Sequence, residues 1–196
     1  MSSRPASRRP ASPRPGTALR TGGPAGRRHD DLADVAAHRR RRRIGLVLAG
    51  LIALAVVLSA LQIWVANPLA AAPDGRGLGE VYADLGSAGE MSGQWFGVLM
   101  HVAGLAAAGI LAWFSIDRYE VSRSVLAAAG GMLLALAAPA YWLASFGMGM
   151  GLADTYGIGG ADHSRLSWAV YLLALVGVAV LVRELLAGRR AAPAAR

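Results

Sequence analysis

The sequence predicts an all-α membrane protein: a four-transmembrane-helix bundle with a disordered basic N-terminal tail and a short amphipathic helix in its first outer loop. Three observations lead there. Of the 196 residues, 55% are hydrophobic and only 16% are charged, well short of the roughly quarter charged residues of soluble domains. Four apolar runs approach or exceed the length needed to cross ~30 Å of hydrocarbon at 1.5 Å of helical rise per residue. The basic charge is gathered at one end, since residues 1–43 hold twelve Arg and three Asp, a balance of +9, while the remaining eight Arg and nine acidic residues sum to −1.

Residues 1–29 repeat Arg-Pro-Ala-Ser at 4–7 and 9–12. A segment so poor in apolar side chains has little to bury, which predicts a disordered Arg/Pro-rich cytoplasmic tail. Residues 30–43 form a basic juxtamembrane segment, in which Asp30 or Asp31 would cap a short helix carrying Leu32 and Val35 and ending in Arg39–Arg43. The transmembrane domain then occupies 44–187, and 188–196 form a cytoplasmic C-terminal tail.

The first span, about 44–66, is 23 residues without a charge, with Ser59 and Gln62 its only clearly polar side chains. A basic start, an apolar run and Ala70-Ala71-Ala72 superficially resemble a cleaved secretory signal. The apolar run is nearly twice the usual length and Pro73 would follow the scissile bond, so an uncleaved anchor is expected. Further spans fall at about 94–116, 124–146 and 166–182. The last is short unless Arg183 snorkels to the interface and Leu185 and Leu186 extend it.

The tail, the 117–123 turn and the segment from Arg183 onward hold eighteen Arg, against Arg76 and Arg165 alone on the opposite side. That bias predicts cytoplasmic N and C termini in the cell membrane. Trp64, Trp95, Trp142 and Trp168 fall at predicted outer ends and Trp113 at an inner one, as amphipathic rings prefer. The outer loops are expected at 67–92 and 147–165. In the first, Leu78, Val81, Tyr82 and Leu85 recur at helical spacing opposite Glu80 and Asp84, and its net charge of −3 favours lying on the bundle mouth rather than on anionic lipid. The second has six Gly from Gly147 to Gly160 and reads as a mobile loop.

Small-residue stripes would let helices approach closely: Gly45, Ala49 and Ala53 in the first span, Gly93, Gly97, Gly104 and Ala108 in the second, Ala127, Gly131 and Ala135 in the third. His101 shares the second stripe and should face protein. Pro139 cannot donate to the carbonyl of Ala135, which predicts a bend.

Gln62, His101, Tyr141 and Tyr171 all lie within about two turns of the outer surface. Polar groups in hydrocarbon are costly unless paired, which makes this set the candidate ligand or proton site, with interhelical hydrogen bonding as the alternative role. His101 is expected to reach Gln62 or one of the two tyrosines. Asp154, Asp162 and His163 are the outer-loop candidates, although their spacing matches no metal-ligand pattern and no metal is assigned. Absence of Cys removes thiolate zinc sites, disulfides and cysteine nucleophiles. No catalytic constellation or phosphate-binding loop is present, and no cofactor and no nucleic acid are expected. The expected partners are the lipid bilayer and other membrane protein subunits.

These readings favour a non-enzymatic accessory, scaffold or regulatory subunit of a larger membrane complex. The rival is a small carrier or channel with an outer-leaflet polar pocket around His101. A membrane enzyme using His101 or His163 as a base ranks third.

Overall fold

The computed structural model describes residues 24–116 and 121–191. Among them there is no strand. By their contacts the described residues divide between Ala36 and Ala37 into two units. The elements are α1 (Pro24–Leu61), a π-helical turn (Gln62–Ala66), α2 (Asn67–Ala71), α3 (Leu78–Ala88), α4 (Gln94–Ile116), α5 (Arg123–Ala135), α6 (Ala137–Tyr156) and α7 (Ser167–Ala191). Among the described residues, four helical stretches are long and apolar enough to cross a membrane: Asp34–Ala71, Gln94–Ile116, Arg123–Tyr156 and Ser167–Arg190.

Three boundaries differ from the sequence expectation. Helix begins at Pro24, so Asp30 and Asp31 lie inside α1 instead of capping it. Proline is well placed in a first turn, where the missing N–H would have no helical partner, and the following Ala, Arg and Leu are good helix formers. The disorder expected for 1–29 is therefore not found at 24–29, and residues 1–23 lie outside the described ones. Second, α6 carries on past 146 to Tyr156, so Gly147, Gly149 and Gly151 are helical rather than loop. Packing explains this: a Cβ on Gly147 would come within 2.7 Å of the Gly93 carbonyl oxygen and one on Gly151 within 3.2 Å of that of Glu90. The bare backbone lets the 89–93 segment lie directly against the helix, which offsets the poor helix propensity of glycine. The helix stops at Gly157, whose φ of +64° suits a residue without a Cβ. Third, α7 runs to Ala191, well past 182, with Leu185 and Leu186 extending it as allowed for, so 188–191 are helical. Residues 192–196 lie outside the described ones.

Pro139 coincides with a break in the third apolar stretch. Helix α5 ends at Ala135, Leu136 stands between, and α6 restarts at Ala137, a one-residue interruption opposite the carbonyl that proline cannot serve. The helices share two apolar cores. Toward the arginine-rich end, Leu48, Ile52 and Ala55 of α1 pack with Leu111 of α4 and Leu126 and Leu134 of α5. Toward the opposite, loop end, Ile63, Tyr141, Met148, Leu152 and Val170 are sealed by Val81 and Leu85, the predicted apolar face of α3.

The small-residue stripes mark real approaches. A Cβ on Gly97 would meet the Ala144 carbonyl at 3.0 Å, and one on Gly131 would meet the Gly177 carbonyl at 3.1 Å, so the α4–α6 and α5–α7 backbones nearly touch. Such approach trades side-chain bulk for backbone van der Waals contact. The outward faces are apolar: Trp95, Trp113, Trp142 and Trp168 are each between 61% and 67% exposed. Trp64 departs from that pattern and turns partly inward.

Candidate functional site

The loop end is organised by one proline. Pro68 has no N–H to give the Trp64 carbonyl four residues earlier, and its ring crowds that carbonyl. The preceding turn widens into the π-helical form, in which the Asn67 N–H reaches back to the Gln62 carbonyl. The Trp64 carbonyl accepts instead from the Tyr82 hydroxyl at 2.9 Å. Burial pushes that hydroxyl above its ordinary pKa and keeps it a donor. Tyr82→Phe would leave the carbonyl without this donor, and we expect a loss of about 1 kcal/mol in stability. Unfolding in mixed micelles would measure it, and an unchanged midpoint would remove Tyr82 from this role.

Widening the turn also aims Gln62 and Asn67 toward the segment before α7. Gln62 is fully buried, and its Nε2 donates to the Ser164 carbonyl at 3.3 Å. Its Oε1 has no hydrogen-bond partner among the described residues. The Asn67 Oδ1 accepts from the His163 backbone N–H at 2.7 Å. On the facing helix the Tyr141 hydroxyl donates to Asp162 at 2.6 Å, and its ring meets Tyr171 edge-to-face at 5.7 Å. Asn67, Tyr141, Asp162 and Tyr171 line a cavity of about 370 Å³. Asp84 of α3 completes this end, accepting from the Tyr156 hydroxyl at 3.0 Å and pairing with Arg76 at 3.1 Å.

His101 belongs to a different group. It is 8% exposed, two turns into α4, with its ring 4.6 Å from that of Trp64. Its Nδ1 lies 2.6 Å from the Gly97 carbonyl oxygen, which can only accept, so Nδ1 carries the hydrogen. In the neutral ring Nε2 then accepts from the Ser59 hydroxyl at 2.9 Å. Ser59 and His101 form the polar edge of an otherwise apolar cavity of about 160 Å³, walled by Ile52, Val56, Met100 and Leu136 among others.

The expected single cluster is thus two. Gln62, Tyr141 and Tyr171 gather at the loop end, joined there by Asp162. His101 faces protein, as expected, but its partner is Ser59 on α1 rather than Gln62 or a tyrosine. The helical phase of α1 decides this, because Ser59 lies on the same buried face as Ile52 and Ala55. Asp154 stands exposed on α6, and the exposed His163 ring bonds the Gly159 carbonyl at 2.9 Å. No three acidic or histidine side chains gather as a cation site among the described residues. Ser59, Trp64, Asn67 and Tyr82 were not singled out from sequence as site residues. The Asn67-Pro68 pair at the end of an apolar run was the available signal, since proline there demands a substitute donor.

Comparison of the chain with protein-family models, with curated proteins and with solved structures finds no match.

Proposed function

We propose that the chain is a small polytopic protein of the cytoplasmic membrane, with both termini cytoplasmic, serving as a non-enzymatic accessory or scaffold subunit of a larger membrane complex. The observation that supports this best is the commitment of its polar groups. Ser59 holds His101, Asn67 and Gln62 hold the segment before α7, and Tyr141 holds Asp162, so these side chains tie helices and loops together. Meanwhile α4 contributes Gly97, His101, Ala108, Leu111 and Ser115 to the interior and turns its large residues outward, Val102, Leu105, Ile110 and Trp113 among them. A face of that kind suits lipid or a partner helix.

Photo-crosslinking from Val102 and Trp113 in native membranes tests the reading. One defined protein crosslinked to both positions and retained in stoichiometric amount through purification is expected. A chain that crosslinks to lipid alone and purifies alone would overturn it. Orientation is checked separately with Gly77→Cys in a chain without native cysteine. We expect labelling by an impermeant maleimide on intact cells; labelling only in inverted vesicles would reverse the topology.

The cavity beside Ser59 and His101 favours a second reading, a carrier or binding protein for a small apolar molecule with one hydrogen-bonding group. Ala107→Leu extends a side chain that lines this cavity. It should leave partner crosslinking intact under the first reading and abolish ligand uptake under the second.

A further inference from the structure

The arginine-rich end carries a third pocket that none of the polar groups above explains. Arg43 of α1, Arg123 at the start of α5 and Arg183 of α7 line one groove of about 270 Å³, in which Glu184 is the sole acidic residue. Sequence places these arginines 60 to 140 positions apart, so only the fold brings them together. The rest of the lining is apolar, with Val47 and Leu51 on α1 and Val176 and Val180 on α7. Among the described residues none of the three guanidinium groups takes part in an ion pair. The Nε of Arg123 is buried and has no hydrogen-bond partner there.

We infer that this groove binds an anionic phospholipid of the cytoplasmic leaflet, a step that rests on the membrane orientation proposed above. Charge complementarity selects the headgroup: three arginines against one glutamate leave a balance of +2, and guanidinium groups donate bidentately to phosphate oxygens. The N-terminus of α5 adds its positive dipole end and first-turn N–H groups, of which the Ser122 side chain accepts only that of Val125, at 3.2 Å. The apolar walls select a lipid over a free phosphate. Val47 and Val176 are both about half exposed, and they offer an acyl chain a path along the bundle beside a headgroup held at its end. Basic pockets between membrane helices on the cytoplasmic side recognise acidic headgroups in this manner.

Native mass spectrometry of the full chain, titrated with phosphatidylglycerol, phosphatidylcholine or inorganic phosphate, tests the assignment. The wild type should retain phosphatidylglycerol with clear preference over phosphatidylcholine. Arg43→Gln/Arg123→Gln/Arg183→Gln should weaken that retention on the order of a hundredfold, about fivefold per arginine. Arg189→Gln/Arg190→Gln removes two charges outside the groove and should change retention less than threefold, a margin of roughly two-thirds of one arginine's effect on a logarithmic scale. Val176→Trp keeps every charge, narrows the apolar wall and should also lower retention, which guards against a triple variant that fails to fold. Equal losses in the two arginine variants would reduce the site to diffuse surface attraction and overturn it. Inorganic phosphate displacing the lipid at equal concentration would make it a small-anion site and overturn the lipid assignment. Selective lipid binding at this end together with outside labelling of Arg189→Cys would keep the groove while rejecting the orientation.

Discussion

Gly177→Val is expected to destabilise the bundle by about 3 kcal/mol or more, the largest effect of any single change considered. A Cβ at this position would lie 2.7 Å from the Leu134 carbonyl carbon and would collide with the Ala135 backbone nitrogen. Neither obstacle is the end of a flexible side chain. Relief would require α7 to move away from α5, separating Gly131 from Gly177 and opening the contact along much of the pair. In lipid there is little hydrophobic gain to compensate, because tails solvate a separated helix as well as a neighbour does. Gly109→Val supplies the control: it makes the same change in an apolar helix where no atom stands within 4 Å of the new Cβ. Denaturation by SDS in mixed micelles, followed by tryptophan fluorescence, should show a large shift for the first and about 0.5 kcal/mol or less for the second. Similar shifts would mean that the α5–α7 approach contributes nothing specific.

The second large effect is expected at His101. Replacement by leucine leaves the Ser59 hydroxyl without its acceptor and removes the ring that faces Trp64. The Gly97 carbonyl is less affected, since the N–H four residues along the helix still reaches it. Interhelical hydrogen bonds in membranes contribute roughly 0.6 to 2 kcal/mol and an aromatic pair about 0.5 to 1.5, so a loss of about 2 kcal/mol follows. His101→Gln should recover about half, because an amide can accept from Ser59 but cannot stack on the indole in the same way. A double-mutant cycle with Ser59→Ala isolates the pair, and coupling of about 1 kcal/mol is expected. Zero coupling would mean that the 2.9 Å contact contributes nothing to stability. If the residue instead serves a binding pocket, glutamine would recover the same half of the stability yet leave ligand binding impaired, because it reshapes the polar edge of the cavity that His101 lines with Ser59. The two measurements therefore separate packing from chemistry.

Much of the architecture was legible in the residue order. Apolar runs of some twenty uncharged residues, far longer than ordinary strands, favour helix, and four long apolar helices are what the residue order predicts. The apolar face of α3 was equally legible, because Val81 and Leu85 lie four apart and only one rotation of that helix buries both. Proline and glycine signals acted locally, and Pro139 interrupts its helix where the missing donor required.

What the tertiary structure decided was partnership. Each residue advances a helix by about 100°, so which side chains meet depends on the rotation and crossing of two helices together, and neither quantity is written in one of them. That is why Ser59 rather than Gln62 meets His101, and why Arg43, Arg123 and Arg183 share a groove. The same reason turned 147–156 from an expected loop into helix. Glycine disfavours helix by up to about 1 kcal/mol per residue when nothing packs on it, and only the presence of Gly93 and Glu90 against α6 reversed that preference.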